Sequence, residues 1–206
     1  TMHMARSRLV GRLLRCSIAA PSRRFSFFNK PLEVIQLGNP VLRQKASAIP
    51  QNQIDTEATQ KLIQGMLASL NDSKQAASGL AAPQVAESVR LFVLSKHCFD
   101  NSDGDLVVLN PKILKKSPKL EIQPEGCLSV PNYIGLVARS TEIEVEFLNG
   151  EGQRMSAKLS DYAARVFQHE YDHLDGITYL DRLRNMRDLF TESEFYRQQE
   201  KLAGQS

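Results

Sequence analysis

Apolar residues recur every fourth position at Ile54, Ala58, Leu62, Met66 and Leu70, with Ile63 and Leu67 beside them. That period predicts an amphipathic helix over 54–71, ended by Asn71-Asp72-Ser73. Beyond Ala82-Pro83 the pattern shortens to strand-like runs at Val89–Ser95, Leu106–Leu109, Leu120–Gln123, Tyr133–Arg139 and Glu142–Leu148. The last alternates cleanly: Ile143, Val145 and Phe147 share one face, and Glu142, Glu144 and Glu146 the other, as in a half-buried antiparallel strand. Asn149-Gly150 turns it into a hairpin with Gln153–Leu159. A weaker alternation predicts a short strand over Leu32–Leu37, and Asn39-Pro40 and Asp103-Gly104 mark turns. Ser160 caps a helix that runs to Leu174, Gly176 suits the left-handed position past its end, and a last helix spans Asn185–Leu202. Hairpins between helices predict an α+β fold with antiparallel sheets, not a doubly wound nucleotide fold.

The charge is unevenly placed. The chain of 206 residues carries +3, yet residues 1–30 hold seven cations and no acid. The remainder therefore carries −4. A domain with no basic surplus lacks the driving force for direct DNA binding. No run of about 18 apolar residues offers a membrane span, and three cysteines do not make a disulfide scaffold.

Thr1-Met2-His3 reads as a cloning remnant ahead of a native start at Met4. From Ala5 to Ala20 a helix would set Arg8, Arg12 and Arg15 opposite Leu9, Val10, Leu13, Leu14 and Ile18. Arginine-rich and acid-free, residues 1–30 look like a mitochondrial transit peptide, with a plastid leader as the alternative. A cut at Phe25/Ser26 fits Arg23-Arg24, and a single folded domain is expected over residues 31–206.

The chemistry concentrates in Gln168-His169-Glu170-Tyr171-Asp172-His173-Leu174. Four helical residues turn through about 400°, so His169 and His173 lie ~40° apart and can meet one metal ion. Glu170 sits beside the first of them, placed to take a proton from an attacking water. The apolar Ala163, Ala164, Val166 and Phe167 just before them predict a buried helix. A catalytic site needs a third ligand. Past His173 only acids remain (Asp175, Asp181, Glu192, Glu194), while upstream stands Cys127 in Glu125-Gly126-Cys127-Leu128-Ser129. A third stretch, Gly79-Leu80-Ala81-Ala82-Pro83-Gln84, joins small residues to one amide donor. His97 and Cys98, near Asp100 and Asp103, read as a loop rather than a second metal site.

Together and in this order, the three stretches resemble the peptide deformylase family, over about residues 32–190. The resemblance implies antiparallel sheets around a central metal-binding H-E-x-x-H helix, with one helix before and one after. It implies Cys127, His169 and His173 as ligands of one divalent ion, Fe2+ by preference, with Zn2+, Ni2+ or Co2+ tolerated. Glu170 becomes the general base, and Gln84 and the Leu128 N–H the oxyanion donors. Gly79, Ser78, Gly126, Tyr133, Arg165 and Val166 would face the substrate, and Asp172 and Gln168 would orient ligands. The partners are then N-formylmethionyl peptides or nascent chains, with an organellar ribosome as a further one. Organelles start translation with formylmethionine, so such a leader and such an enzyme belong together.

Four positions depart from the family pattern. Ala77-Ser78 replaces its opening Gly-(Ile/Val), Arg165 stands where an apolar pocket residue is usual, and Ile134 stands where some relatives carry arginine. An intact catalytic set within an altered surround predicts hydrolysis with a changed preference beyond the formyl group. Two other readings compete: an H-E-x-x-H zinc endopeptidase with a downstream acid as third ligand, and a silent relative that binds nascent chains or ribosomes.

Overall fold

The computed structural model describes residues 30–72, 77–99 and 103–204; the transit-peptide expectation lies outside them. Helix α1 (Glu57–Leu70) follows the predicted period, burying Ile63, Met66 and Leu70. It begins three residues later than the apolar spacing suggests, because the Thr56 hydroxyl accepts from the Thr59 N–H and caps it there. Strands β1 (Gly79–Ala81), β2 (Leu91–Leu94) and β3 (Leu106–Lys116) follow. Next come β4 (Leu120–Cys127), β5 (Val130–Ser140), β6 (Glu142–Leu148) and β7 (Arg154–Ser160). Helix α2 (Asp161–Leu174), β8 (Leu189–Thr191) and α3 (Glu192–Ala203) complete the order.

Among the described residues two antiparallel sheets form. One runs β1-β2-β3-β6-β7 and the other β4-β5-β8. Helix α2 packs on strands of both. Its Phe167 meets Phe92 edge-on, with ring centroids 5.0 Å apart, in a core that also takes the inward faces of β6 and β7. Alternation in β6 holds as read: Ile143, Val145 and Phe147 are buried and the three glutamates point outward.

Several boundaries differ for identifiable reasons. Leu32–Leu37 forms no strand. Its N–H groups go singly to the Ser69 hydroxyl, the Gln84 carbonyl and the Ser129 carbonyl, so the segment stitches three elements instead of pairing with one. β3 continues through Asn110-Pro111 because the ladder slips register there, and the Asn110 side chain is held by both the N–H and the carbonyl of Ile49. β4 continues through Pro124, which is tolerated because β4 lies at a sheet edge. The Asn149-Gly150 hairpin is present, but its left-handed residue is Gly152. Ser160 stands at the α2 N-cap without a side-chain cap bond. The predicted last helix starts late. Asn185 caps a short 3-10 turn, Leu189–Thr191 pair with β5, and only then does α3 begin. Gly176 is left-handed as expected, and an added Cβ would lie 2.6 Å from the Arg43 carbonyl oxygen.

Candidate active site

Helix α2 carries His169 and His173 one turn apart, both buried, with ring centroids 5.1 Å apart. The end of β4 brings Cys127 to them, its Sγ 3.4 Å from His173 Nε2. One donor atom from each of these three residues lies within 4.8 Å of the others, and among the described residues no other cluster of His, Cys, Asp and Glu does this. Three of the four downstream acids are engaged elsewhere: Asp175 with Arg90, Asp181 with Arg43, Glu194 with Arg197. The arrangement suits a divalent ion on its own chemistry. It offers a thiol and two imidazoles, a mixed soft and borderline donor set. His173 Nδ1 and Glu170 Oε2 are buried beside it without a hydrogen-bond partner.

The 3-10 turn Ala82–Val85 aims Gln84 at the same point. Its Oε1 accepts from the Ala81 N–H at 2.8 Å, which frees Nε2 to donate toward Cys127 Sγ (3.4 Å) and Ser129 Oγ (3.3 Å). Leu128 sits in the tight turn between β4 and β5. Burial pushes the Glu170 carboxyl up to about 7. Burial and the charge of His169 hold His173 well below the usual imidazole range. For His169, burial acts downward, but Cys127 and Glu125 carry the group well above that range.

Gly79 explains how Glu170 fits. A Cβ at that position would stand 2.5 Å from Glu170 Oε1, closer than real contacts allow. Gly79→Ala should therefore displace the carboxylate and lower kcat by about 10²-fold, as a 1 Å misplacement does. Steady-state kinetics with KM nearly unchanged would agree, and wild-type kcat would not.

The expected ligand-orienting residues are placed differently. Gln168 touches no ligand; its amide bridges Ser140 and the Ala164 carbonyl, tying α2 to β5. Asp172 reaches His169 only through intermediates. It accepts from Arg182 (2.7 and 3.0 Å) and from Arg139. Arg139 in turn forks onto Glu125 at 2.9 Å to each oxygen. Glu125 Oε2 lies 2.9 Å from His169 Nδ1. Burial alone would raise the Glu125 carboxyl, and its hydrogen bonds to His169 and Arg139 outweigh that and hold it below the carboxylate range. Glu125, Arg139 and Tyr179, whose ring stacks near that of His169, are site residues to which motif reasoning assigned no role.

The expected substrate-facing set divides. Gly79 borders Glu170, and the neighbouring Ser78 hydroxyl pairs with the Tyr162 hydroxyl at 2.6 Å. Tyr133 is half-exposed on β5. Gly126 marks a register slip in β4, yet a Cβ there would meet only Tyr133 O at 3.8 Å, so no close backbone approach requires glycine. Val166 belongs to the buried core. Arg165 does not present its guanidinium to a pocket. It is enclosed at 5% exposure, donating to Glu125 and to the Val137 and Glu121 carbonyls. Ile134 is buried opposite Phe190 of β8. Cys98 donates to the Ser78 carbonyl, and burial pushes its thiol up to about 12, a poor ligand and nucleophile. A cleft of about 330 Å³ over β3, β6 and β7, bounded by Lys112, Phe147 and Arg154, contains none of the expected site residues.

Fold and site together define a hydrolase built on a Cys–His–His donor group beside a buried carboxylate. The sequence model of the polypeptide deformylase family matches residues 31–188. Peptide deformylase 2 of Nostoc sp. is 40% identical over 169 residues, which cover 80% of this chain and 92% of that relative. The chloroplastic peptide deformylase 1A of Solanum lycopersicum is 34% identical over 165 residues, 73% of this chain and 59% of that relative. Among solved structures, a Met-Ala-Ser-bound class I type b peptide deformylase from Acinetobacter baumannii superposes with a TM-score of 0.68 at 29% identity, covering 76% of this chain and all of the other. The chain belongs to the polypeptide deformylase family, the hydrolases that remove N-formyl groups from nascent peptides.

Proposed function

We propose that this enzyme hydrolyses the formyl group from N-formylmethionyl peptides and nascent chains, with residues 31–206 as its catalytic domain. In this reading Cys127, His169 and His173 hold one divalent ion. Fe2+ is the working ion, and Zn2+, Ni2+ or Co2+ can replace it. The observation that carries the reading is the convergence of the three donor atoms within 4.8 Å, beside a buried Glu170 oxygen without a partner. When bound, such an ion supplies Lewis-acid polarisation and acidifies water. Glu170 takes the proton of the attacking water and later returns one to the leaving amine. Gln84 Nε2 and the Leu128 N–H donate to the developing oxyanion. The products are formate and a free amino terminus.

The working compartment we infer is an organelle, the mitochondrial matrix or, alternatively, a plastid. The acid-free basic stretch at residues 1–30 and the chloroplastic tomato relative support it. The preference for residues beyond the formyl group is altered, with Ser78 and its tie to Tyr162 as the local cause.

Anaerobically purified, iron-loaded protein given formyl-Met-Ala-Ser should release formate and leave Met-Ala-Ser intact. Cleavage inside the peptide without formate would instead favour an endopeptidase. Kinetics across formyl tripeptides check the preference: selectivity equal to that of the Acinetobacter enzyme would remove that clause.

A further inference from the structure

Three arginines enter the ion network behind His169, and Arg165 is the one carried by α2 itself. Glu125 Oε1 accepts from Arg139 Nε at 2.9 Å and from Arg165 Nη1 at 2.8 Å. Glu125 Oε2 accepts from Arg139 Nη2 at 2.9 Å and lies 2.9 Å from His169 Nδ1. Arg139 comes from β5, so it fixes the carboxylate relative to the sheet. Arg165 lies one turn before His169, so it fixes the carboxylate relative to the helix. The covalent helix and the two contacts close a ring: α2 to Arg165, to Glu125, to His169, and back to α2. Arg165 is further anchored on the Val137 carbonyl (2.9 Å) and the Glu121 carbonyl (2.6 Å), which gives the ring a rigid side. A carboxylate forked at both oxygens by one guanidinium, Arg139, and held at Oε1 by a second, Arg165, has little freedom to turn. The imidazole bonded to it through Nδ1 inherits that restriction.

We propose that Arg165 is a positioning residue: acting through Glu125, it fixes the His169 ring and so sets how firmly the three-residue site retains a divalent ion. The inference rests on the ligand reading proposed above. Its test uses Arg165→Lys, Arg165→Met, Glu125→Gln and the double variant Arg165→Met/Glu125→Gln. The readouts are the rate of Zn2+ loss to a chelator, the absorption bands of the Co2+-loaded protein, kcat and KM separately, and Tm. Lysine keeps the charge but not the fork. Both Arg165 variants should release Zn2+ about 10–100-fold faster, the usual scale for losing an outer-shell partner of a ligand, with shifted cobalt bands. kcat should fall with KM nearly unchanged. Arg165→Lys should recover Tm but not metal retention, and the double variant should lose no more than Glu125→Gln alone. If Arg165→Met does not fold, Arg165→Lys carries the comparison. Wild-type Zn2+ retention and cobalt bands in Arg165→Lys with only Tm changed would overturn the proposal, as would strictly additive losses in the double variant. A wild-type protein with no thiolate-to-cobalt band would instead overturn the assignment of Cys127 as a ligand.

Discussion

Glu170→Gln is expected to keep its metal and its fold while losing about 10²–10⁴-fold in kcat, the range contributed by a positioned general acid–base. Glutamine has the same shape, so the space left open by Gly79 still holds it. The metal should stay because Glu170 is not one of the three converging donors. What disappears is the ability to accept and return a proton. The proposed role draws on a carboxyl that is buried beside the three donors and shifted upward by that burial. The variant should be compared with wild type at one ion per chain by metal analysis, with formate as the product measured. A loss smaller than tenfold would remove Glu170 from the proton transfers.

Cys127→Ala is expected to act one step earlier, by abolishing metal retention. Two imidazoles one helical turn apart on α2 remain, but the donor from β4 is gone. The loss in affinity should exceed the 10–100-fold that follows removal of an outer-shell partner. Gln84 Nε2 keeps Ser129 Oγ as an acceptor, so the local hydrogen bonding survives and the variant should fold. Equilibrium dialysis against Zn2+ checks this. An endopeptidase with Asp175, Asp181, Glu192 or Glu194 as third ligand would bind Zn2+ undiminished.

The parts of this molecule that could be read along the chain are those whose cause is local. The α1 and β6 patterns reflect burial on one side of a single element. The pairing of His169 and His173 follows from helical pitch, and Gly176 from a helix end that needs a left-handed residue. Cys127 is less local. It became legible because the stretches around Gln84, Cys127 and His169 occur together in a known family order.

What escaped is set by pairing between distant segments. Glu125 stands two residues before Cys127, yet nothing in that spacing tells that β4 opposite β5 brings Arg139 onto its carboxylate. The chain Asp172–Arg139–Glu125–His169 spans two strands and a helix, and no periodicity announces it. For Arg165 the sequence limits the choice, since a cation one turn before His169 must reach either solvent or an acid. Only the fold selects Glu125. β8 was missed because three residues carry no usable alternation and owe their conformation to pairing with Tyr133–Gly135.

The most direct test of the account is activity measured as metal is returned. Metal-free protein would be titrated anaerobically with Fe2+, and formate release from a formyl-Met peptide recorded at each addition. The account predicts no activity without metal, a linear rise, and saturation at one ion per chain. Formate release that survives complete metal removal, or saturation at any other stoichiometry, would contradict it.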